Sequence, residues 1–322
     1  NKIKEIASGS YGSIFLYKKK NNIWGKEDLI INKEFTDLEN DLLRDDAEVM
    51  VSFIKEVYMQ YIINKYTEQN NLSYITSKIY GFDIKYIYVD NKSVVEKLSF
   101  SSKYYPSDLR KTSGKDIIKN NFIKITKKLL SMMSLIHGLN IVHLDIKPGN
   151  ILIDKNCDLY FIDFGLSRIN KGVIYNCKKN YKLELFTQPY RSPQNLRYTQ
   201  KLRCFDKCSH NLNLKEDDIF ALGATLYEIW YGKDRFWINI DCSSTKREIK
   251  KHYEFYKTKR PYKRYCKFVN EVVNYFRENN LYESEDIESF KNLLFILVRG
   301  ISGNVGEENS TFLSEECREI LG

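Results

Sequence analysis

Proline and glycine are scarce in this chain, with 5 Pro and 15 Gly among 322 residues. That scarcity excludes a collagen-like repeat and a chain that is mostly low-complexity or disordered. Long apolar runs are also missing. Leu293–Val298 is among the longest, far short of the ~18 apolar residues of a membrane span. The opening Asn1-Lys2-Ile3-Lys4-Glu5-Ile6 has no apolar stretch of the kind that precedes a secretory cleavage site, so export is not expected. It also lacks Met, as a piece cut from a longer protein would. Cysteines number seven, an odd count without a tight framework, which points to reduced thiols in an intracellular compartment. What remains is 43% hydrophobic and 29% charged, enough to bury a core of ordinary size. At ~150 residues per domain the length suits two domains or one large bilobal domain.

The formal charge of +9 is unevenly spread. Residues 246–267 carry ten Lys/Arg against Glu248 and Glu254, a local +8 that leaves the remainder near +1. Such a segment is a solvated helical face and loop, or a surface that attracts acidic or phosphate-rich partners.

The first 20 residues alternate as strand, glycine-containing turn and strand, with Ile14 and Leu16 on one side and Phe15 and Tyr17 on the other. Further strands are expected at 28–35, 75–89 and 93–98. A helix is expected over 45–65, where Val49, Phe53, Val57 and Tyr61 recur every four residues. Beyond Ser99 the pattern turns helical. Ile118, Phe122, Ile125, Leu129, Met132 and Ile136 predict one amphipathic helix over 115–139. Short strands are expected at 151–153 and 159–162, and a mostly buried helix at 217–231. The fold class is therefore α+β, with a small β-rich lobe followed by a larger α-rich lobe.

The densest motif is His143-Leu144-Asp145-Ile146-Lys147-Pro148-Gly149-Asn150, followed eighteen residues after Asp145 by Asp163-Phe164-Gly165. These motifs resemble the signature of the eukaryotic protein kinases, here of the Ser/Thr type with a glycine loop slightly like that of casein kinases. The resemblance implies a kinase domain over 1–322, with an N-lobe at 1–96 containing one main helix, a hinge at 97–99, and a C-lobe at 100–322 with an insertion near 195–216. It implies ATP and Mg²⁺ (or Mn²⁺) as cofactors, and protein hydroxyls as acceptors. Asp145 would orient and deprotonate the acceptor hydroxyl, and Lys147 would contact the transferring phosphate. Asn150 and Asp163 would hold the metal through oxygen.

Other segments add to the resemblance. Ala7-Ser8-Gly9-Ser10-Tyr11-Gly12-Ser13-Ile14 is a glycine loop with Ala7 in the first glycine position. A strand rather than a helix follows it, which separates it from a dinucleotide fingerprint. Ala7, Gly9, Ser10, Gly12 and Ile14 would line the nucleotide, with Glu96 and Leu98 at the hinge. Lys33 would be the phosphate-binding lysine, with Glu56 or its rival Glu48 as its helix partner. Gln60 stands where the family usually packs an apolar residue. Thr187-Gln188-Pro189-Tyr190-Arg191-Ser192-Pro193-Gln194 resembles T-x-x-Y-x-A-P-E, so Thr187 would bridge Asp145 and Lys147, and Gln194 replaces the usual Glu. Asp218 would cap the backbone of the catalytic loop.

Leu144 replaces the arginine that meets an activation-loop phosphate in many kinases, so catalysis is expected without loop phosphorylation. Gly149 and Ser102 fall where basophilic kinases carry acidic residues, while Glu228 is kept. That set, with the basic segment 246–267, leans toward acidic protein substrates. Cys204, Cys208 and His210 lack a clear fourth ligand for zinc, and His137 reads as structural or solvated. Two other readings share part of the pattern: a small-molecule phosphotransferase, and a pseudokinase acting as a scaffold. The expected location is intracellular and cytoplasmic, with nuclear or viral host-cell settings also open.

Overall fold

The computed structural model describes residues 2–9, 12–18, 29–35, 48–89, 92–169, 190–193, 196, 214–232, 254–255, 258 and 260–297. Two compact units emerge. The first comprises residues 1–107 with 152–168, the second 108–151 with 169–322.

The first unit is built on five antiparallel strands: β1 (Lys2–Gly9), β2 (Gly12–Lys18), β3 (Leu29–Phe35), β4 (Ile79–Val89) and β5 (Lys92–Lys103), ordered β1-β2-β3-β5-β4. Helix α1 (Glu48–Gln69) buries Val49, Phe53, Glu56, Gln60 and Ile63, the three- and four-residue spacing of one helical face. Phe35, Val49, Phe53, Leu98 and Phe100 form its core with the sheet. Phe35 meets Phe53 edge-on at 5.3 Å between ring centroids. Strands β6 (Ile151–Ile153) and β7 (Leu159–Phe161) form a small hairpin turned by Asp154, whose Oδ1 accepts from the N–H groups of Asn156 and Asp158.

The expected hinge at 97–99 falls inside β5. That strand stays paired through Ser102 and Lys103, with Ile79 opposite Ser102 and Ile30 opposite Lys103. The two units divide instead between Ser107 and Asp108. Ser99 and Ser101–Lys103 look like the end of a strand in sequence, but two neighbouring strands supply partners that carry it on.

The second unit is helical: α2 (Leu109–Thr112), α3 (Asp116–Asn120), α4 (Phe122–Gly138), α5 (Leu214–Tyr231), α6 (Arg260–Glu278) and α7 (Ser284–Leu297). The single helix expected over 115–139 is two, because the backbone at Asn121 leaves helical geometry (φ −108°, ψ 14°) and its side chain turns back to the Ile117 carbonyl at 2.9 Å. Its core is aromatic. Phe122 packs edge-on against Trp230, Phe268 and Phe290, and Phe276 joins through Trp230. Burying each such ring contributes roughly 1.5–3 kcal/mol.

On α6 the stripe Tyr265, Phe268, Val269, Val272 and Phe276 is buried, while Lys263, Arg264 and Lys267 are exposed. The described part of the basic segment 246–267 is thus the solvated face of an amphipathic helix. Among the described residues no helix is long and apolar enough to cross a membrane.

Candidate active site

Chemistry-bearing residues gather in two places, one in each unit. In the first unit, strand β3 sets Lys33 between Ile14 of β2 and Phe100 of β5. Its Nζ lies 2.6 Å from Glu56 Oε2 and 3.4 Å from Asp163 Oδ1. The structure thus pairs Lys33 with Glu56. Glu56 sits seven residues beyond Val49, on the buried face of α1.

Burial pushes the Glu56 carboxyl up to about 7, against the pull of the Lys33 ammonium. Burial also opposes the charge on Lys33, but the carboxylates of Glu56 and Asp163 outweigh it and hold the lysine well above its ordinary value. Asp163 adopts the left-handed conformation (φ 65°, ψ 63°), and its side chain is 42% exposed. A Cβ on Gly165 would meet Ser52 Oγ of α1 at 2.4 Å, so the Ser52 hydroxyl would have to turn away.

The glycine hairpin closes with Gly9 opposite Gly12, and Ala7 pairs with Ile14. Gly12 is buried, and a Cβ on it would sit 2.1 Å from the Glu34 carbonyl oxygen. Close approach of β2 to β3 therefore demands glycine here, independently of any ligand. Ser10 lies outside the described residues. Two sequence expectations meet a different setting. Leu98 is 1% exposed and packs in the core, while Glu96 points outward to Lys85 at 2.5 Å. Both belong to the paired middle of β5, so neither is a hinge residue.

In the second unit the loop 143–150 folds around Asp145. Lys147 Nζ donates to Asp145 Oδ2 at 2.7 Å, and Asn150 Nδ2 donates to the same oxygen at 2.7 Å and to the Asp145 carbonyl at 2.9 Å. Asp145 is 5% exposed, so its carboxylate is held in one orientation by two donors. With the Asn150 nitrogen spent on Asp145, its amide oxygen is the atom left for a cation. An amide oxygen from Asn150 and carboxylate oxygens from Asp163 are hard donors of the kind that Mg²⁺ takes.

The loop is anchored from below by a buried carboxylate. Asp218, fully buried in α5, accepts from the N–H of His143 at 2.7 Å and of Leu144 at 2.8 Å. His137 Nε2 lies 3.1 Å from Asp218 Oδ2, the oxygen that takes the His143 N–H, so His137 is structural. Leu144 is fully buried and left-handed, with φ 66°. An L-residue other than Gly there costs about 1–2 kcal/mol, which the Asp218 hydrogen bonds offset.

Thr187, Gln194, Cys204, Cys208 and His210 lie outside the described residues. Among the described residues no cluster of three His, Cys, Asp or Glu could hold a metal, and Cys157 and Cys266 are free thiols. Beside two residues that the sequence marks, Tyr190 and Glu228, stands one that it does not. The Tyr190 hydroxyl donates to Glu228 Oε2, with Arg110 beside both. Arg110 carries no motif, so nothing in its local sequence marks it.

Comparison with known proteins agrees with this geometry. The model of the protein kinase domain matches residues 1–321. The chain belongs to the protein kinase domain family. It is 30% identical over 145 residues to the mitogen-activated protein kinase HOG1 of Scheffersomyces stipitis, covering 45% of this chain and 33% of that one. It is 36% identical over 141 residues to mitogen-activated protein kinase 2 of Arabidopsis thaliana, covering 41% and 33%. With the probable serine/threonine-protein kinase FMP48 of Saccharomyces cerevisiae it shares 31% identity over 173 residues, covering 51% and 44%. The kinase domain thus spans about a third of the length of the first curated relatives it matches.

Proposed function

We propose that this kinase domain transfers the γ-phosphoryl group of ATP to Ser or Thr hydroxyls of protein substrates. The observation that carries the reading is that both chemical halves of phosphoryl transfer are assembled. One is a lysine held by a buried glutamate beside Asp163; the other is a carboxylate fixed by Lys147 and Asn150.

In this reading Lys33, oriented by Glu56, neutralises the phosphates that do not transfer. Asp145 orients the acceptor hydroxyl and takes its proton as the acceptor oxygen bonds to the γ-phosphorus and the bond from that phosphorus to the β–γ bridging oxygen breaks, releasing ADP. Lys147, already against Asp145, stands ready for the transferring phosphoryl. Asn150 and Asp163 would supply oxygen ligands to Mg²⁺, or Mn²⁺ in its place, which when bound spreads the charge of the phosphoryl group. Gly9, Gly12 and Ala7 belong to the β1–β2 hairpin that would cover the phosphates, with Ile14 beneath it, and Ser10 and Thr187 complete the assignment. The Ser/Thr-kinase relatives and the Thr187–Pro193 segment support Ser/Thr as the acceptor class. An intracellular setting fits free thiols and the kinase relatives.

Leu144 bears on regulation. A fully buried apolar side chain at this position offers no charge to a phosphorylated loop, which supports catalysis without loop phosphorylation.

The decisive assay incubates the purified domain with γ-labelled ATP, Mg²⁺ and a mixture of casein and a basic protein. Label should appear in protein and, after hydrolysis, in phosphoserine or phosphothreonine. Asp163→Ala should abolish it. A folded wild-type domain that transfers no label would leave a binding scaffold as the better description, and label in phosphotyrosine would overturn the acceptor class.

A further inference from the structure

We infer that Arg110 sets the charge preference of the acceptor site, its charge opposing that of the buried Glu228 and presenting a cation to residues flanking the acceptor hydroxyl. The inference rests on the phosphotransfer reading above and goes beyond it by naming the substrate class, acidic segments, and the residue that selects them.

Glu228 is 2% exposed on α5, and its Oε2 accepts from the Tyr190 hydroxyl. Its Oε1 is buried with no hydrogen-bond partner among the described residues. A carboxylate held this way attracts a cation. Arg110 supplies one nearby, its positive charge acting on both Glu228 and Tyr190. It lies on α2, which Asp108 caps by accepting from the Lys111 N–H at 3.0 Å, and the neighbouring Leu109 is fully buried. Two residues after α2, the Gly114 N–H donates to the Ile229 carbonyl of α5 at 2.8 Å, next to Glu228.

The same guanidinium reaches the catalytic loop. A Cβ on Gly149 would lie 3.4 Å from Arg110 Cζ and 3.5 Å from its Nη2. Gly149 immediately precedes Asn150, whose amide is bonded to Asp145. An acceptor hydroxyl at Asp145 belongs to a chain that advances ~3.3 Å per extended residue. A neighbour two or three positions along the substrate therefore comes within range of the exposed Arg110 head. Without Arg110 that neighbour would meet the carboxylate of Glu228, and a basic residue would be favoured. With Arg110 in place, its charge opposes that of Glu228 and the charge presented outward is positive. The Lys and Arg side chains of basic substrates are repelled, while Asp, Glu or a phosphorylated residue is drawn in.

The test uses Ala-rich peptides with a single Ser, carrying Glu or Lys at each of the three positions on either side. Both kcat/KM and Kd, the latter by fluorescence polarisation, are measured for wild type, Arg110→Gln and Gly149→Glu. At the most responsive position, wild type should favour Glu over Lys about fivefold, the upper end for an exposed charge pair. Arg110→Gln should erase or invert that ratio in both measurements. Gly149→Glu, which sets a carboxylate against the guanidinium, should lower it in the same direction, and it decides the matter if Arg110→Gln does not fold. Arg110→Lys should keep most of the preference. A ratio unchanged within twofold in a folded variant overturns the inference. If wild type binds the peptides but phosphorylates none, the phosphotransfer reading fails, and the Kd ratios alone then support or overturn the role of Arg110.

Discussion

Replacing Asp218 with Asn removes one acceptor oxygen from beneath the catalytic loop while keeping the side chain's shape. In the wild type the two carboxylate oxygens divide the labour, Oδ1 taking the Leu144 N–H and Oδ2 taking the His143 N–H together with His137. An amide offers a single acceptor, and its NH₂ group would point at a backbone donor. One buried N–H is left unsatisfied, which costs about 1–3 kcal/mol. The conformation of Leu144 (φ 66°) also loses support, and that strain is about 1–2 kcal/mol. Together about 2–5 kcal/mol should be lost, against a total stability of about 5–15 kcal/mol for a typical domain. At roughly 2–4 °C per kcal/mol for a domain of ~200 residues, the melting temperature should fall by about 4–20 °C. Calorimetry or CD melts read the shift, and urea unfolding gives the free energy. Asp218→Ala, which leaves both N–H groups unsatisfied, should cost more than Asp218→Asn. A loss below ~0.5 kcal/mol for Asp218→Asn, or equal losses for Asn and Ala, would refute the anchoring argument.

Asp145→Asn should lower kcat by about 10²–10⁴-fold, the range for a general base, while leaving nucleotide Kd within about twofold; a comparable loss of nucleotide affinity would show that Asp145 does not act on the acceptor. Glu56 carries a pH signature. Its folded value of about 7 exceeds the unfolded value of 4.5, so the fold binds the proton more tightly. The stability this contributes is complete below pH 4.5 and is lost as the pH rises through about 7. Melting temperatures of wild type and Glu56→Gln measured from pH 5 to 8 should therefore diverge, with wild type falling more steeply, and parallel profiles would contradict the assignment. Gly12→Ala forces a Cβ to within 2.1 Å of the Glu34 carbonyl oxygen, so β2 and β3 must separate. Thermal melts should show a loss of about 1–3 kcal/mol, the cost of overpacking, even without nucleotide.

Local chemistry made much of the site readable in advance. Asp145, Lys147 and Asn150 lie within six residues, so the hydrogen bonds that join them follow from a short loop with fixed residue types. The αβ order of the chain, the apolar spacing of α4 and the nearly all-apolar α5 are also properties of contiguous segments. The single-residue offsets of the glycine hairpin belong to the same class, because a turn is closed by its own neighbours.

Long-range pairing decided the rest. Nothing in the local spacing around Glu48 and Glu56 alone says which turns toward the sheet. The face of α1 that buries Val49, Phe53 and Ile63 also carries Glu56, and that is a matter of packing. Strand β5 continues past residue 99 because β3 and β4 offer it partners, whereas its own polar residues suggest a stop. The capping of His143 and Leu144 joins residues 75 and 74 positions from Asp218, and the charge of Arg110 reaches Glu228 across α2 and α5, which are tied through Gly114 and Ile229. A sequence encodes interactions between near neighbours through residue type and spacing. Which distant groups share a buried space is set by the whole core, since a buried charge or N–H must find its partner wherever the packing brings one.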